Sequence, residues 1–429
     1  MNDSSGGASI GAMQAQHPQT WRAVISSSLG NALEWFDIVV YSAFAVTIAK
    51  LFFPAQDPTV SLLLTFGTFG VAFFMRPLGA LVIGAYADRA GRKPALTLSI
   101  LLMMIGTLLI AVMPTYASIG VLAPCGIVLA RMIQGFSAGG EFGSATAFLV
   151  EHAPQRRGFF ASWQMASQGL SLLLAASFGA LLSSQLSVAE LEGWGWRLPF
   201  LFGLLIGPAG YYIRSHLQES PEFSAVLASA TPLRDLLATR KERLLIGAGS
   251  VVMATVAIYL LLYMPTYAVK QLGMDPTHAF GATMLAGLIL MAFSTVVGQL
   301  SDRYGRTPFM LVSSTLFLLL AYPLFYYLSR HPDFAHMLLV QGVIGLLTTM
   351  YVAAMPALLS DIFDVRHRGT GMSLSYNLAV MIFGGFAGMT ITWLIAVTGD
   401  KLAVTFYVMA GAAISALATL AARYRLGLR

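Results

Sequence analysis

Charged side chains are scarce in this sequence. Asp, Glu, Lys and Arg supply only 10% of 429 residues, against roughly a quarter in soluble domains. With 57% of residues apolar, such a chain would not stay dissolved as an ordinary globule. Cysteine is nearly absent: the single Cys125 excludes an internal disulfide, and its place in an apolar block makes it a packing residue. No Gly-Lys pair occurs, which removes the phosphate-cradling P-loop and with it an ATPase. No His-Glu-x-x-His run occurs, and all seven histidines fall at span ends or in loops. Zinc-hydrolase and bis-histidine haem chemistry are therefore disfavoured. No metal, no cofactor and no enzymatic activity are expected.

What is present is a series of apolar blocks of about 20–28 residues, long enough to cross a hydrocarbon core of roughly 30 Å. They run at about 23–51, 60–86, 95–113, 118–149, 158–186 and 197–213, then at about 244–269, 278–299, 308–328, 336–359, 370–397 and 402–422. The pattern predicts an all-α integral membrane protein with twelve spans, six plus six. Residues 1–20, rich in Gly, Ser, Gln and Ala, read as a disordered tail, since no signal-peptide core follows. The expected units are a first bundle at 21–214, a polar linker at 215–243 and a second bundle at 244–429. With both termini inside, inner segments hold eighteen of the twenty-five Lys and Arg residues and outer loops hold five. That bias sets both termini in the cytoplasm. It also explains the net charge of +6 without nucleic acid.

A turn repeats at half the chain length. Gly84-Ala-Tyr-Ala-Asp88-Arg89-Ala-Gly91-Arg92-Lys93-Pro94 returns 214 positions later as Gly298-Gln-Leu-Ser-Asp302-Arg303-Tyr-Gly305-Arg306-Thr-Pro308. One structural half is thus used twice. A fainter echo links Glu151 with Arg156 and Arg157, and Asp361 with Arg366 and Arg368. Each turn sets a carboxylate beside guanidiniums at helix ends. Asp88, Arg89, Arg92, Glu141, Glu151, Asp302, Arg303, Arg306 and Asp361 are therefore candidates for a cytoplasmic latch between the halves; the alternative is that they only enforce topology.

Five ionisable residues lie inside spans: Glu34, Asp37, Arg76, Arg131 and Glu141, all in the first half. A charge at mid-bilayer costs about 2.5–3.5 kcal/mol or more, so each asks for a reason. At 1.5 Å per residue the first four fall roughly 15–20 Å from a span end, near the midplane, and Glu141 falls toward the inner side. Glu34 and Asp37 are three apart and share a helical face. Two carboxylates there resist ionising together, which suits proton coupling. The competing reading salt-bridges Glu34 and Asp37 to Arg76 and Arg131 for assembly alone. Arg76 and Arg131 also offer forked guanidiniums to an anionic substrate. Gln134 beside Arg131, Gln164, Gln168, Tyr259, Tyr263, Tyr351 and Asn377 would complete a polar cavity. The spacing of Tyr259, Tyr263 and Tyr267 fits an aromatic packing stripe equally well, and the two glutamines fit interhelical hydrogen bonding.

These motifs resemble a known family. The turn at 84–96 and its copy are similar to the signature loop of the major facilitator superfamily, and Arg131-x-x-Gln134-Gly135 to its fourth-helix motif, a resemblance that implies a part for Arg131 in proton coupling beside Glu34 and Asp37. More narrowly, the chain resembles the metabolite:proton symporters. The matching stretches are Gly30-Asn-Ala-Leu-Glu34-Trp-Phe-Asp37, Phe74-Met-Arg76-Pro-Leu-Gly79-Ala, Gln134-Gly-Phe-Ser-Ala-Gly-Gly-Glu141, Gly193-Trp-Gly-Trp196-Arg197-Leu-Pro-Phe200 and Leu217-Gln-Glu-Ser-Pro-Glu-Phe223. Ala49-Lys50-Leu-Phe-Phe-Pro54, Tyr263-Met-Pro-Thr-Tyr267 and Val397-Thr-Gly-Asp400-Lys401 look like segments of citrate and tricarballylate carriers. Gly139-Gly-Glu-Phe-Gly143 departs from the Gly-Val-Glu-Leu-Gly of those carriers. The resemblance implies the two-bundle fold and proton-driven import of an organic acid anion, citrate or a related di- or tricarboxylate, across a bacterial inner membrane by alternating access. The expected partners are a small organic anion, protons and lipid, with the monomer as the working unit. Alternatives are a zwitterion or another carboxylate (proline, betaine, 2-oxoglutarate, shikimate) and, against the buried arginines, an efflux antiporter.

Overall fold

The computed structural model describes residues 30–32, 34–90, 92–139, 155–215, 240–364 and 368–429, with single positions at Val24, Ser28, Thr146 and Val150. The side chains of 84–85, 87–93, 96, 206 and 209–215 lie outside that description. Among the described residues there is no strand. That is what a bilayer demands of a single chain not closed into a barrel, because only helices satisfy their own backbone polar groups in lipid.

Among the described residues twelve longer helices follow in order, with short helical turns between some of them. They are α1 (Gly30–Ala43 with Ala45–Phe52, bent by 64°), α2 (Pro58–Ala90), α3 (Arg92–Val112), α4 (Leu122–Ser137), α5 (Arg157–Gln185) and α6 (Leu198–Ser215). The second six are α7 (Lys241–Leu272), α8 (Pro276–Tyr304), α9 (Arg306–Arg330), α10 (Phe334–Ile362), α11 (Arg368–Thr398, with a π-helical turn at Val380–Gly384) and α12 (Val404–Arg425). Eight of these are long and apolar enough to cross a membrane singly, and the bent α1 makes a ninth; α3, α4 and α6 supply the other three. The twelve spans read from the sequence are present as six and six.

Short polar caps end these helices. Asp275 accepts from the Thr277 amide at 2.8 Å with Pro276 at the first helical position of α8. Asp333 caps α10, accepting from the His336 amide at 3.0 Å. That bond and the His336 side chain hold its carboxyl below the usual carboxylate range. The α8–α9 turn pivots on Gly305, whose φ of +94° excludes a side chain without strain.

The two halves meet along two seams. On one, α5 and α8 come into backbone contact. Gly158 lies against the Gly298 carbonyl, Gly169 against Leu290 and Met291, and Gly287 against Leu173; glycines permit that approach. On the other, α2 and α11 interlock toward the end opposite the α8–α9 turn. There Phe66 sits over Gly388, Phe73 over Gly385 and Phe386 over Gly70.

Candidate functional site

The buried charges converge between α1, α2, α3 and α4. Glu34 and Asp37 share one face of α1, and Arg76, Arg131 and Gln134 point at that face from α2 and α4; all five are buried. Arg76 Nη2 lies 3.4 Å from Glu34 Oε1, with its guanidinium 4.6 Å from the Phe73 ring centroid. Arg131 is only 1% exposed. Among the described residues no carboxylate lies within ion-pair distance of it. Its charge is held instead by aromatic faces, Tyr41 at 4.7 Å and Phe69 at 4.9 Å, contacts that strengthen when desolvated.

A neutral relay joins Arg131 to Asp37. Arg131 Nη1 donates to Gln134 Oε1 at 2.8 Å. Gln134 Nε2 then donates to Thr107 Oγ1 at 3.0 Å and makes a long 3.5 Å contact with Asp37 Oδ2. Thr107 of α3 donates to that same Asp37 oxygen. Asp37 Oδ1 is buried without a hydrogen-bond partner and faces Gly203 of α6. Of the two salt bridges that the assembly reading requires, Glu34–Arg76 is direct and Asp37–Arg131 is not.

The other candidates surround this cluster unevenly. Tyr259 of α7 enters from the second half and packs on Phe73 at 5.7 Å, Phe69 at 6.0 Å and Trp35 at 6.1 Å. Its hydroxyl is buried and has no partner. Tyr263 packs on Phe66 and shares a 3.0 Å hydrogen bond with Thr392. Tyr351 is committed to its own bundle, donating to the Ser250 carbonyl at 2.6 Å. Gln164 and Gln168 of α5 are buried. The Gln164 side chain accepts from Thr146, and its Nε2 is unpaired. Asn31 of α1 donates to the Gln164 carbonyl at 3.0 Å and to Ser167 at 2.8 Å. Asn377 of α11 donates to the Gly139 carbonyl at 3.3 Å, tying the two halves together.

At the end carrying the α8–α9 turn, Asp361 accepts from Arg157 of α5 at 2.9 Å and pairs with Arg306 at 2.7 Å. Arg306 also reaches Asp302 at 3.3 Å. Asp302 takes the Gly158 and Phe159 amides of α5 at 2.8 and 2.9 Å, an anion seated on the amino end of a helix from the other half. Arg303 lies 5.4 Å from the Tyr304 ring centroid, outside this network. Glu141 and Glu151 lie outside the described residues, as do the side chains of Asp88, Arg89 and Arg92.

Sequence reasoning passed over Thr107, Tyr41, Phe69 and Phe73. A threonine or aromatic in an apolar span carries no signal of its own, and only the fold brings these four to the buried charges. The helix cap made by Asp302 was equally invisible, because its partners are backbone amides.

Comparison with known proteins agrees with this architecture. The model described as "Sugar (and other) transporter" matches residues 23–231, and that described as "Major Facilitator Superfamily" matches 282–427. A citrate-proton symporter of Klebsiella pneumoniae is 38% identical over 424 residues, covering 98% of this chain and 93% of the relative. A proline/betaine transporter of Escherichia coli K12 is 34% identical over 410 residues, covering 90% and 80%. Among solved structures, the xylose transporter of E. coli in a partially occluded inward-open conformation gives a TM-score of 0.74 at 16% identity. That match covers 94% of this chain and 97% of the other.

Proposed function

The chain belongs to the major facilitator superfamily, and we propose that it is a proton-coupled symporter importing an organic acid anion, citrate or a related di- or tricarboxylate. One observation carries the reading. The guanidinium of Arg131 lies one aromatic layer from Tyr259 of the second half, and among the described residues its direct contacts are aromatic faces and a neutral amide, so an entering carboxylate would be its first direct counter-charge. The citrate-proton symporter relationship over 98% of the chain supports the same substrate class.

In this reading a proton loads Asp37 or Glu34 from the outer side, and the anion docks on Arg131 and Arg76 against Tyr259. Neutralising buried charge lowers the cost of carrying the site across the membrane. The halves then rock about the α5–α8 seam, and the Asp302–Arg306–Asp361–Arg157 latch parts on the cytoplasmic side. The protein works as a monomer in a bacterial inner membrane with both termini cytoplasmic. Its bundles at 21–214 and 244–429 move as the two rocking bodies.

A second reading, symport of a zwitterion, draws on the proline/betaine relatives and on the Glu34–Arg76 pair, which could open to take both ends of an amino acid. The test is uptake of labelled citrate, tricarballylate, proline and betaine into proteoliposomes under an imposed pH gradient, with and without uncoupler. Uncoupler-sensitive accumulation of a di- or tricarboxylate is expected. Accumulation of proline or betaine alone moves the assignment to the zwitterion; accumulation of none rejects both.

A further inference from the structure

We propose that Thr107 is a positioning residue for proton coupling, its hydroxyl serving Asp37 as donor when the carboxylate is charged and as acceptor when the carboxyl carries a proton. The inference rests on the proton-symport reading above and deepens it.

The geometry provides for both states. A threonine hydroxyl has one proton to give and two lone pairs. Around Thr107 Oγ1 stand one fixed donor, Gln134 Nε2 at 3.0 Å, and two acceptors, Asp37 Oδ2 and the Met103 carbonyl at 3.0 Å. With Asp37 ionised, Thr107 gives its proton to Oδ2 and accepts from Gln134. With a proton on Oδ2, Asp37 donates to Thr107, Gln134 still donates, and the hydroxyl turns to the Met103 carbonyl. Asp37 Oδ2 has a partner in each state, and Thr107 keeps its own proton throughout. A buried carboxyl normally loses heavily in one of its two forms; this rotor narrows the difference by serving Oδ2 in both.

The surroundings leave Thr107 that task almost alone. Asp37 Oδ1 has no partner, and Gln134 reaches Oδ2 only at 3.5 Å. Among the described residues, Glu34 and Tyr41 flank Asp37 on its own helix, Arg131 of α4 acts on it through space, and Arg76 of α2 and Tyr259 of α7 stand beside Glu34 and Arg131. From α3 and α6 come Thr107 and Gly203, which do not titrate. Arg131 reaches Asp37 by hydrogen bonds only through Gln134 and otherwise by its field, not by a direct ion pair. A direct ion pair would fix the carboxylate in its charged form. The relay lets a substrate carboxylate that captures Arg131 loosen Gln134 and favour proton uptake at Asp37.

The test compares Thr107→Val, which keeps the shape and loses the hydroxyl, with Thr107→Ser, which keeps the hydroxyl. Labelled citrate is followed in proteoliposomes. Thr107→Val is expected to lower kcat of pH-driven uptake about tenfold with KM within about twofold, and to move the pH profile about one unit alkaline. One-for-one exchange at equal pH, which needs no proton release, should stay within about twofold of wild type, and Thr107→Ser should restore uptake. If the Val variant does not reach the membrane, Thr107→Ala replaces it with the same expectations. An unmoved profile and unchanged kcat in vesicles where wild type accumulates citrate overturn the role of Thr107 and leave the transport reading standing. So does a Ser variant as impaired as Val. Failure of wild type to accumulate citrate removes the transport reading and this inference together.

Discussion

The two halves of this molecule share a repeated turn and a helical plan, yet their interiors differ in kind. The first half buries Glu34, Asp37, Arg76 and Arg131. Among the described residues of the second half, the buried ionisable group besides tyrosine is Arg368 at the start of α11. Its deeper polar groups are hydroxyls and amides such as Tyr259, Tyr263, Thr348 and Gln341. Intramembrane charge is retained only where it acts, since apolar packing of the same volume is as stable or better. The duplicated fold thus buries its intramembrane charges in the first half and lines the described interior of the second with uncharged hydrogen-bonding groups; in the proposed reading, proton coupling belongs to the first.

The sharpest way to break that comparison is to remove charge from the first half. Arg131→Ala and Asp37→Asn are each expected to cut pH-driven accumulation of the anion by at least about a hundredfold, the scale of about 3 kcal/mol for losing one member of a buried coupled pair. Transport assays in proteoliposomes check this. Accumulation at wild-type level in both variants would place coupling elsewhere. Glu34→Gln should act first on stability, since it strands Arg76 without its partner; a loss of about 3 kcal/mol is expected. The double variant Glu34→Gln/Arg76→Met should recover the melting temperature but not transport. Recovery of both would return this pair to the assembly role.

A smaller effect is expected at the charged end, where the halves touch. Asp361 holds Arg157 of the first half and Arg306 of the second, and a charge-assisted hydrogen bond is worth about 1.5–3 kcal/mol. Asp361→Asn should therefore shift the population about tenfold toward the conformation open at that end. The readout is thiol labelling of Ser162→Cys, which lies at the α5–α8 seam, in a Cys125→Ser background. Labelling at the unaltered rate would mean that Asp302 on the amino end of α5 closes the seam unaided.

Much of this is legible in the amino-acid sequence. The apolar blocks gave twelve spans because the bilayer imposes one length on every crossing, and the four midplane charges announced themselves by their cost. The repeated turn pointed to Asp302 and Arg306 and its fainter echo to Asp361; the three join one another within the second half, and Asp302 and Asp361 reach across the seam to α5. What stayed hidden was pairing. Nothing in the spacing of Glu34 and Asp37 tells that one takes a guanidinium directly and the other through Gln134 and Thr107, since that depends on how α3 and α4 sit beside α1. Nor could spacing separate three tyrosines on one helix. Tyr259 faces the buried charges, Tyr263 meets Thr392, and Tyr267 donates to the Lys401 carbonyl at 3.2 Å.

That separation yields the mildest test, confined to the second half. Tyr351 spends its hydroxyl on the Ser250 carbonyl, whereas the Tyr259 hydroxyl is buried beside the charged cluster with no partner. If the second half contributes shape and hydrogen bonding to substrate, the two tyrosines must respond oppositely to loss of one oxygen. Tyr351→Phe should lower the melting temperature, by the equivalent of about 1 kcal/mol, and leave KM unchanged, because a satisfied buried hydrogen bond is lost. Tyr259→Phe should leave stability level or slightly raised, because an unpaired buried hydroxyl disappears, while KM rises about fivefold through loss of a substrate contact. Equal KM values in the two variants would make Tyr259 a packing residue and leave anion recognition wholly to the charges of the first half.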